Sequence, residues 1–145
     1  MGVSSFQPVD TGTWQNYTPL FRFGTSADMT AGAMQARYCQ IGKLVVGNVN
    51  IKYGTVSGTG DLNVTLPVTP KTPLSVPDTG WYIIGEGEWI RSGVAAGSIL
   101  LAYDTNASRV RLLRTDQLTL AVGHNSPYTW TTNDHFNFTF QYEAA

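Results

Sequence analysis

The sequence predicts an all-β protein, a two-sheet antiparallel sandwich with a jelly-roll-like topology. Three observations lead there. Segments of alternating apolar and polar residues recur with turn residues every eight to twelve positions, no window keeps a helical period for more than two turns, and 15 Gly and 7 Pro punctuate the chain. With 145 residues the chain is most simply one domain, and 42% hydrophobic and 12% aromatic residues suffice for its core. We divide it into an extended arm over residues 1–12 and a single domain over residues 13–145.

The arm mixes Ser, Gly, Thr and Pro8 around Phe6 and Val9. It has no usable period, so it reads either as a loose terminus or as a tether whose Phe6, Pro8 and Val9 dock in a groove on a neighbouring subunit. Trp14 to Phe23 predicts the first strand, with Phe21 and Phe23 on one face and Leu20 and Arg22 on the other. Gly24 to Gly32 is a loop. Tyr38 to Ile41 and Leu44 to Tyr53 form a hairpin about Gly42 and Lys43. In its second strand Val45, Val49, Ile51 and Tyr53 face inward, while Asn48, Asn50 and Lys52 face water. After Gly60, Leu62, Val64 and Leu66 point in and Asp61, Asn63 and Thr65 point out, until Pro67 ends the pairing.

Three prolines between Thr69 and Gly80 predict a surface crossover to the opposite sheet. Trp81 to Arg91 is the next strand, with Trp81, Ile83 and Trp89 on one face; Gly85 and Gly87 between them imply a bend or a close backbone approach. Ile99 to Tyr103 follows, and then a turn from Asp104 to Ser108. In Arg109 to Arg114, Val110 and Leu112 alternate with Arg109 and Arg111, whose charges read as solvated or as partners for acids on a neighbouring subunit. Asp116 to Val122 is short and apolar, and His124 to Asp134 is a loop with Pro127, Tyr128 and Trp130. The last strand is the clearest: Phe136, Phe138, Phe140 and Tyr142 alternate with Asn137, Thr139 and Gln141, which predicts a central strand.

Several motifs carry a resemblance. Arg37-Tyr38-x-x-Ile41-Gly42-Lys43, a Val/Ile-rich strand, and Gly58-x-Gly60-x-Leu62-x-x-x-Leu66-Pro67 are similar to a β-module of bacteriophage virion proteins: minor tail proteins, tail-fibre tips and other surface-displayed proteins. Trp14-Gln-Asn-Tyr17-Thr-Pro19 resembles the opening of these modules, and Trp130-Thr-Thr-Asn-Asp134 with the aromatic strand after it resembles their close. The order and spacing of the motifs span Trp14 to Ala145. The resemblance implies a place on a virion surface, and its members are commonly threefold. A homotrimer is therefore expected, with Leu20 and Phe21 as apolar residues on both faces of one strand.

Chemistry is scarce. Charged residues are 13% and the net charge is −1, too little for a nucleic-acid footprint. The longest apolar runs fall far short of a ~20-residue membrane span, and the N-terminus lacks signal-peptide blocks, so we expect synthesis in a bacterial cytoplasm and no membrane partner. The single Cys39 reads as a small buried hydrophobe. Glu86 and Glu88 share a strand face at roughly 7 Å by strand geometry, but no group stands across a scissile bond from them. His124 and His135 have no third ligand at metal spacing, and serines lack a nucleophile elbow. We expect no enzyme, no metal and no cofactor.

Two functions remain. One is a capsid decoration protein bound to the major capsid protein or other virion subunits. The other is a receptor-binding tail-fibre or minor tail module that stacks host cell-wall glycan on Tyr128 or Trp130. The arrival of the domain after about a dozen residues, without a shaft, leans toward the first.

Overall fold

The computed structural model describes residues 12–29, 33–54, 58–71, 81–104, 109–117 and 121–145. Phe6, Pro8 and Val9, most of the proline-rich crossover, the 105–108 turn, and Leu118 and Leu120 lie outside the described residues.

The described residues contain nine strands and no helix: β1 (Gln15–Asn16), β2 (Phe21–Phe23), β3 (Ala33–Ile41), β4 (Leu44–Lys52), β5 (Leu62–Val64), β6 (Trp81–Arg91), β7 (Ala95–Asp104), β8 (Arg109–Arg114) and β9 (His135–Glu143). All join one antiparallel sheet in the order β1-β3-β4-β9-β6-β7-β8-β5-β2. Where the sequence led us to expect two sheets, there is one. Its inner face is covered because the sheet curls into a half-barrel, the other way in which strands bury a common face.

The expected first strand explains the curl. It is split into β1 and β2, which form opposite edges of the sheet. Only residues 17–20 separate them, so the Cα atoms of Asn16 and Phe21 lie within about 18 Å. The two edges of a nine-stranded sheet must therefore approach each other. Phe21 and Phe23 on one edge strand share a buried cluster with Val45 and Val49 of β4, and Pro19 in the link is buried.

Register fixes which side chains enter that cluster. On β9, Phe136, Phe138 and Phe140 oppose Ile51, Val49 and Gly47 of β4, and also Trp89, Gly87 and Gly85 of β6. The aromatic row is thus central, as the alternation predicts, and it shares one buried cluster with Ile99, Leu101, Val110 and Leu112 of β7 and β8. Phe140 fits because Gly47 faces it: a Cβ there would stand 2.2 Å from its Cζ. Gly85 and Gly87 serve the backbone instead, since a Cβ on either would fall 2.0 or 2.1 Å from the Thr139 or Asn137 carbonyl oxygen. This is the close approach that their positions imply.

Two expectations need correction. A register shift between Ile83 and Gly85 changes the parity of β6, so Ile83 is 56% exposed while Trp89 is 8% exposed. Asn63 is buried rather than wet, because its amide nitrogen donates to the Gly24 and Asp61 carbonyls and its oxygen accepts from Arg109.

Candidate functional site

The outer face of the sheet collects what the alternation turned away from the core. Asn48 of β4 pairs with Thr139 of β9, which pairs with Glu86 of β6; one step along, Asn50 pairs with Asn137 and Asn137 with Glu88. Directly paired residues point to the same side, so two parallel polar rows cross three adjacent strands. Ser98 and Leu100 of β7 extend them. Asn137 Nδ2 donates to Glu88 Oε1 at 3.3 Å. The side chains of Asn48, Asn50, Glu86 and Thr139 have no hydrogen-bond partner among the described residues.

Two depressions, of about 550 and 470 Å³, lie along these rows and share Asn48, Glu86, Leu100 and Thr139. Trp14 and Ile83 rim the first. Trp14, just before β1, is 50% exposed, and the Arg37 guanidinium sits 4.8 Å from its ring centroid. Ile41 and Leu44, a directly opposed pair at the β3–β4 turn, are also exposed. The outer face therefore has a polar middle and, toward the β3–β4 turn, exposed apolar side chains beside Glu143, which opposes Leu44 and pairs with Lys71 at 2.9 Å.

The residues singled out for sugar stacking lie elsewhere. Trp130 is buried: its Nε1 donates to the Gly123 carbonyl at 2.8 Å, and its ring meets Phe136 and Trp89 edge-on at centroid distances of 4.8 and 5.8 Å. It plugs the core and leaves no ring face for a sugar. Tyr128 is half-buried, with one contact edge-on to Trp89 and another to the Arg91 guanidinium, 4.9 Å from its ring centroid. The loop between is pinned by Asp134, whose carboxylate accepts from the Ser92 and Thr131 amides.

The bases of β8 are partnered within the chain rather than solvated or waiting for a neighbour. Arg109 reaches Asp28 at 3.2 Å, and Arg111 reaches Asp104 at 2.9 Å and Asp61 at 3.3 Å. Arg114 pairs with Asp116 and donates to Ser126 Oγ, and this guanidinium holds the Asp116 carboxyl below the usual range. The histidines are separate: His124 Nδ1 accepts from the Gly60 amide at 3.1 Å, and His135 pairs with Lys52 and Ile90. Among the described residues no three His, Cys, Asp or Glu side chains gather at a metal-holding distance. Cys39 is buried, with Gly12 lying against its Sγ.

Each half of the outer rows is legible in sequence as water-facing Asn, Thr or Glu. What places them side by side is the insertion of β9 between β4 and β6, which local alternation does not encode. Searches of protein-family profiles, curated proteins and solved structures find no match to the chain.

Proposed function

We propose that the protein is a non-enzymatic structural component of a bacteriophage virion, displayed on the particle surface as a capsid decoration protein. It acts as a homotrimer that binds the major capsid protein or other virion subunits. One observation supports this most: Trp14 and Ile83 expose large apolar side chains about one depression of the outer face, and Ile41 and Leu44 expose theirs as an opposed pair at the β3–β4 turn, near the two-residue edge strand β1. Clustered exposed apolar surface marks contact with other subunits, and a short edge strand resists uncontrolled strand addition. The order of the virion-type sequence motifs supports the same reading.

Labelling of intact virions under the electron microscope tests it, since a decoration protein occurs in many copies on head facets. Light scattering after size exclusion is expected to read three times the monomer mass. Removal of residues 2–10 is expected to leave a folded trimer that no longer binds purified heads, if Phe6, Pro8 and Val9 dock on the shell. A truncated trimer that decorates heads at full occupancy rejects the docking arm.

A second reading is favoured by the polar rows. A tail-fibre or minor tail module that recognises host cell-wall carbohydrate presents hydrogen-bonding groups that its own chain leaves unpartnered, as Asn48, Asn50, Glu86 and Thr139 do among the described residues. Labelling confined to the tail tip supports this reading over decoration.

A further inference from the structure

We infer that the outer face of β4, β9, β6 and β7 is a binding strip for an extended, uncharged polysaccharide, laid across the strands from Trp14 toward Ser98. The inference rests on the carbohydrate-recognition reading, not on head decoration. It moves the ligand from the 124–134 loop to the sheet.

The chemistry of the row selects the ligand class. Asn48 and Asn50 each present both donors and an acceptor, Thr139 presents a hydroxyl, and Glu86 accepts only. A ligand dense in hydroxyl groups satisfies such a mixture, because each hydroxyl both donates and accepts. A protein surface does this poorly: covering the row would bury several polar groups and a carboxylate, each of which needs a matched partner. Protein interfaces also deplete charge at their centres, whereas Glu86 and Glu88 lie mid-strip.

Charge selects further. The two carboxylates face the ligand, and the cations on this face stand at its borders: Arg37, paired with Asn48, is stacked on Trp14, and Lys52 lies two residues beyond Asn50 on β4. A phosphate- or carboxylate-bearing polymer would meet repulsion where it crosses Glu86 and Glu88 of β6. An uncharged chain meets none.

Shape supplies the third argument. Strands stand ~4.8 Å apart, so the rows from β4 to β7 span about 14 Å, room for a few linked sugars across the strands. The two depressions share Asn48, Glu86, Leu100 and Thr139 and so adjoin along the strip. At the end of the strip stands the indole of Trp14, 50% exposed with the Arg37 guanidinium over its ring, an apolar surface for the C–H side of a sugar. The donors stand on central strands, with Gly85 and Gly87 held against the β9 backbone. Little ordering entropy is then lost on binding.

Calorimetric titration of the full chain with chitohexaose and cellohexaose, up to about 5 mM to reach weak affinities, tests the inference. At least one is expected to bind saturably. Trp14→Ala, and Asn48→Ala combined with Thr139→Ala, are each expected to weaken it about tenfold or more, the order of one or two hydrogen bonds or a stacked ring. The isosteric Glu86→Gln is expected to weaken it in the same direction, with unchanged melting temperature, and Tyr128→Ala is expected to leave affinity unchanged. Absence of saturation with both sugars overturns the inference, as does full affinity in the Asn48/Thr139 variant. Tighter binding of poly(glycerol phosphate) overturns the uncharged class. Purified bacterial cell walls separate this site from the reading beneath it. If the wild type and the Asn48/Thr139 variant label walls equally, recognition stands and the strip is rejected; if the wild type labels none and binds neither sugar, both fall.

Discussion

The indole of Trp89 occupies the space over Gly97, its directly opposed residue on β7: a Cβ on Gly97 would lie 2.5 Å from Cε2 and Cζ2 of the ring. The ring is further held by edge contacts with Tyr128 and Trp130. It has no room to yield.

Gly97→Ala is therefore expected to destabilise the protein, although alanine ordinarily suits a strand better than glycine. Overpacking of this kind costs about 1–3 kcal/mol. The midpoint of urea denaturation measures it, and the near-ultraviolet circular dichroism of the Trp89 cluster is expected to change. In a Trp89→Leu background the same substitution should cost much less, because the clash is gone. An equal cost in both backgrounds would place the effect in the backbone rather than the ring.

The β9 row shows why some of this fold is readable and some is not. Phe136, Phe138, Phe140 and Tyr142 alternate without interruption, and β6 and β8 run between the residues that their patterns predict. Parity is a local property, and a strand carries it wherever it pairs. Strand order is not local. The single stretch from Trp14 to Phe23 gives no sign that it breaks after Asn16 and crosses to the far edge, since Tyr17, Thr18, Pro19 and Leu20 suit an edge strand as well as a link. Ile83 fails for a related reason: the bulge after it depends on pairing with Ala102 and Leu101, which its own sequence does not state. The candidate strip inherits this limit. Its Asn and Glu residues were legible singly, and their assembly was not.

Asp134 is predicted to set the stability of the loop that ends in β9. It is 1% exposed; Oδ1 accepts from the Ser92 amide at 3.0 Å, and Oδ2 accepts from the Thr131 amide at 2.7 Å. Asp134→Ala leaves two amide donors without this acceptor, an effect of roughly 1–3 kcal/mol. Hydrogen exchange at Ser92 and Thr131 is expected to accelerate more than exchange at Phe138. Uniform acceleration across β9 would mean that the loop and the barrel open together.

Arg109 and Asp28 are predicted to be unequal partners. The arginine is buried and also donates to the Leu20 carbonyl and Asn63 Oδ1, each at 3.4 Å, whereas the Asp28 side chain is 36% exposed. Arg109→Ala is expected to cost about 1.5–3 kcal/mol, the range for hydrogen bonds to a charged group. Asp28→Asn, at a solvent-screened site, is expected to cost under about 1 kcal/mol. Urea denaturation of the two variants gives the comparison, and the opposite order would mean that the ion pair dominates the hub.

Tyr17 and Tyr142 make the last prediction, because burial raises both phenols above their usual value of 10.0, with like-charge repulsion from Tyr142 adding to Tyr17. Above about pH 10 the unfolded chain releases these protons while the folded chain retains them, so the equilibrium moves toward unfolding. Stability from this source is complete below pH ~10 and falls as the pH rises toward the folded values; the urea midpoint followed between about pH 8 and 11.5 should show the decline. The two hydroxyls differ at neutral pH. Tyr142 donates to the Val68 carbonyl at 2.7 Å and accepts from its amide at 3.3 Å, so Tyr142→Phe is expected to cost about 1 kcal/mol or somewhat more. The Tyr17 hydroxyl is buried with no partner among the described residues. Tyr17→Phe is then expected to be neutral or stabilising at pH 7, and to flatten the alkaline decline, because removing an unpaired buried hydroxyl relieves a desolvation cost. A larger loss from Tyr17→Phe than from Tyr142→Phe would show that the Tyr17 hydroxyl bonds to a group beyond those described.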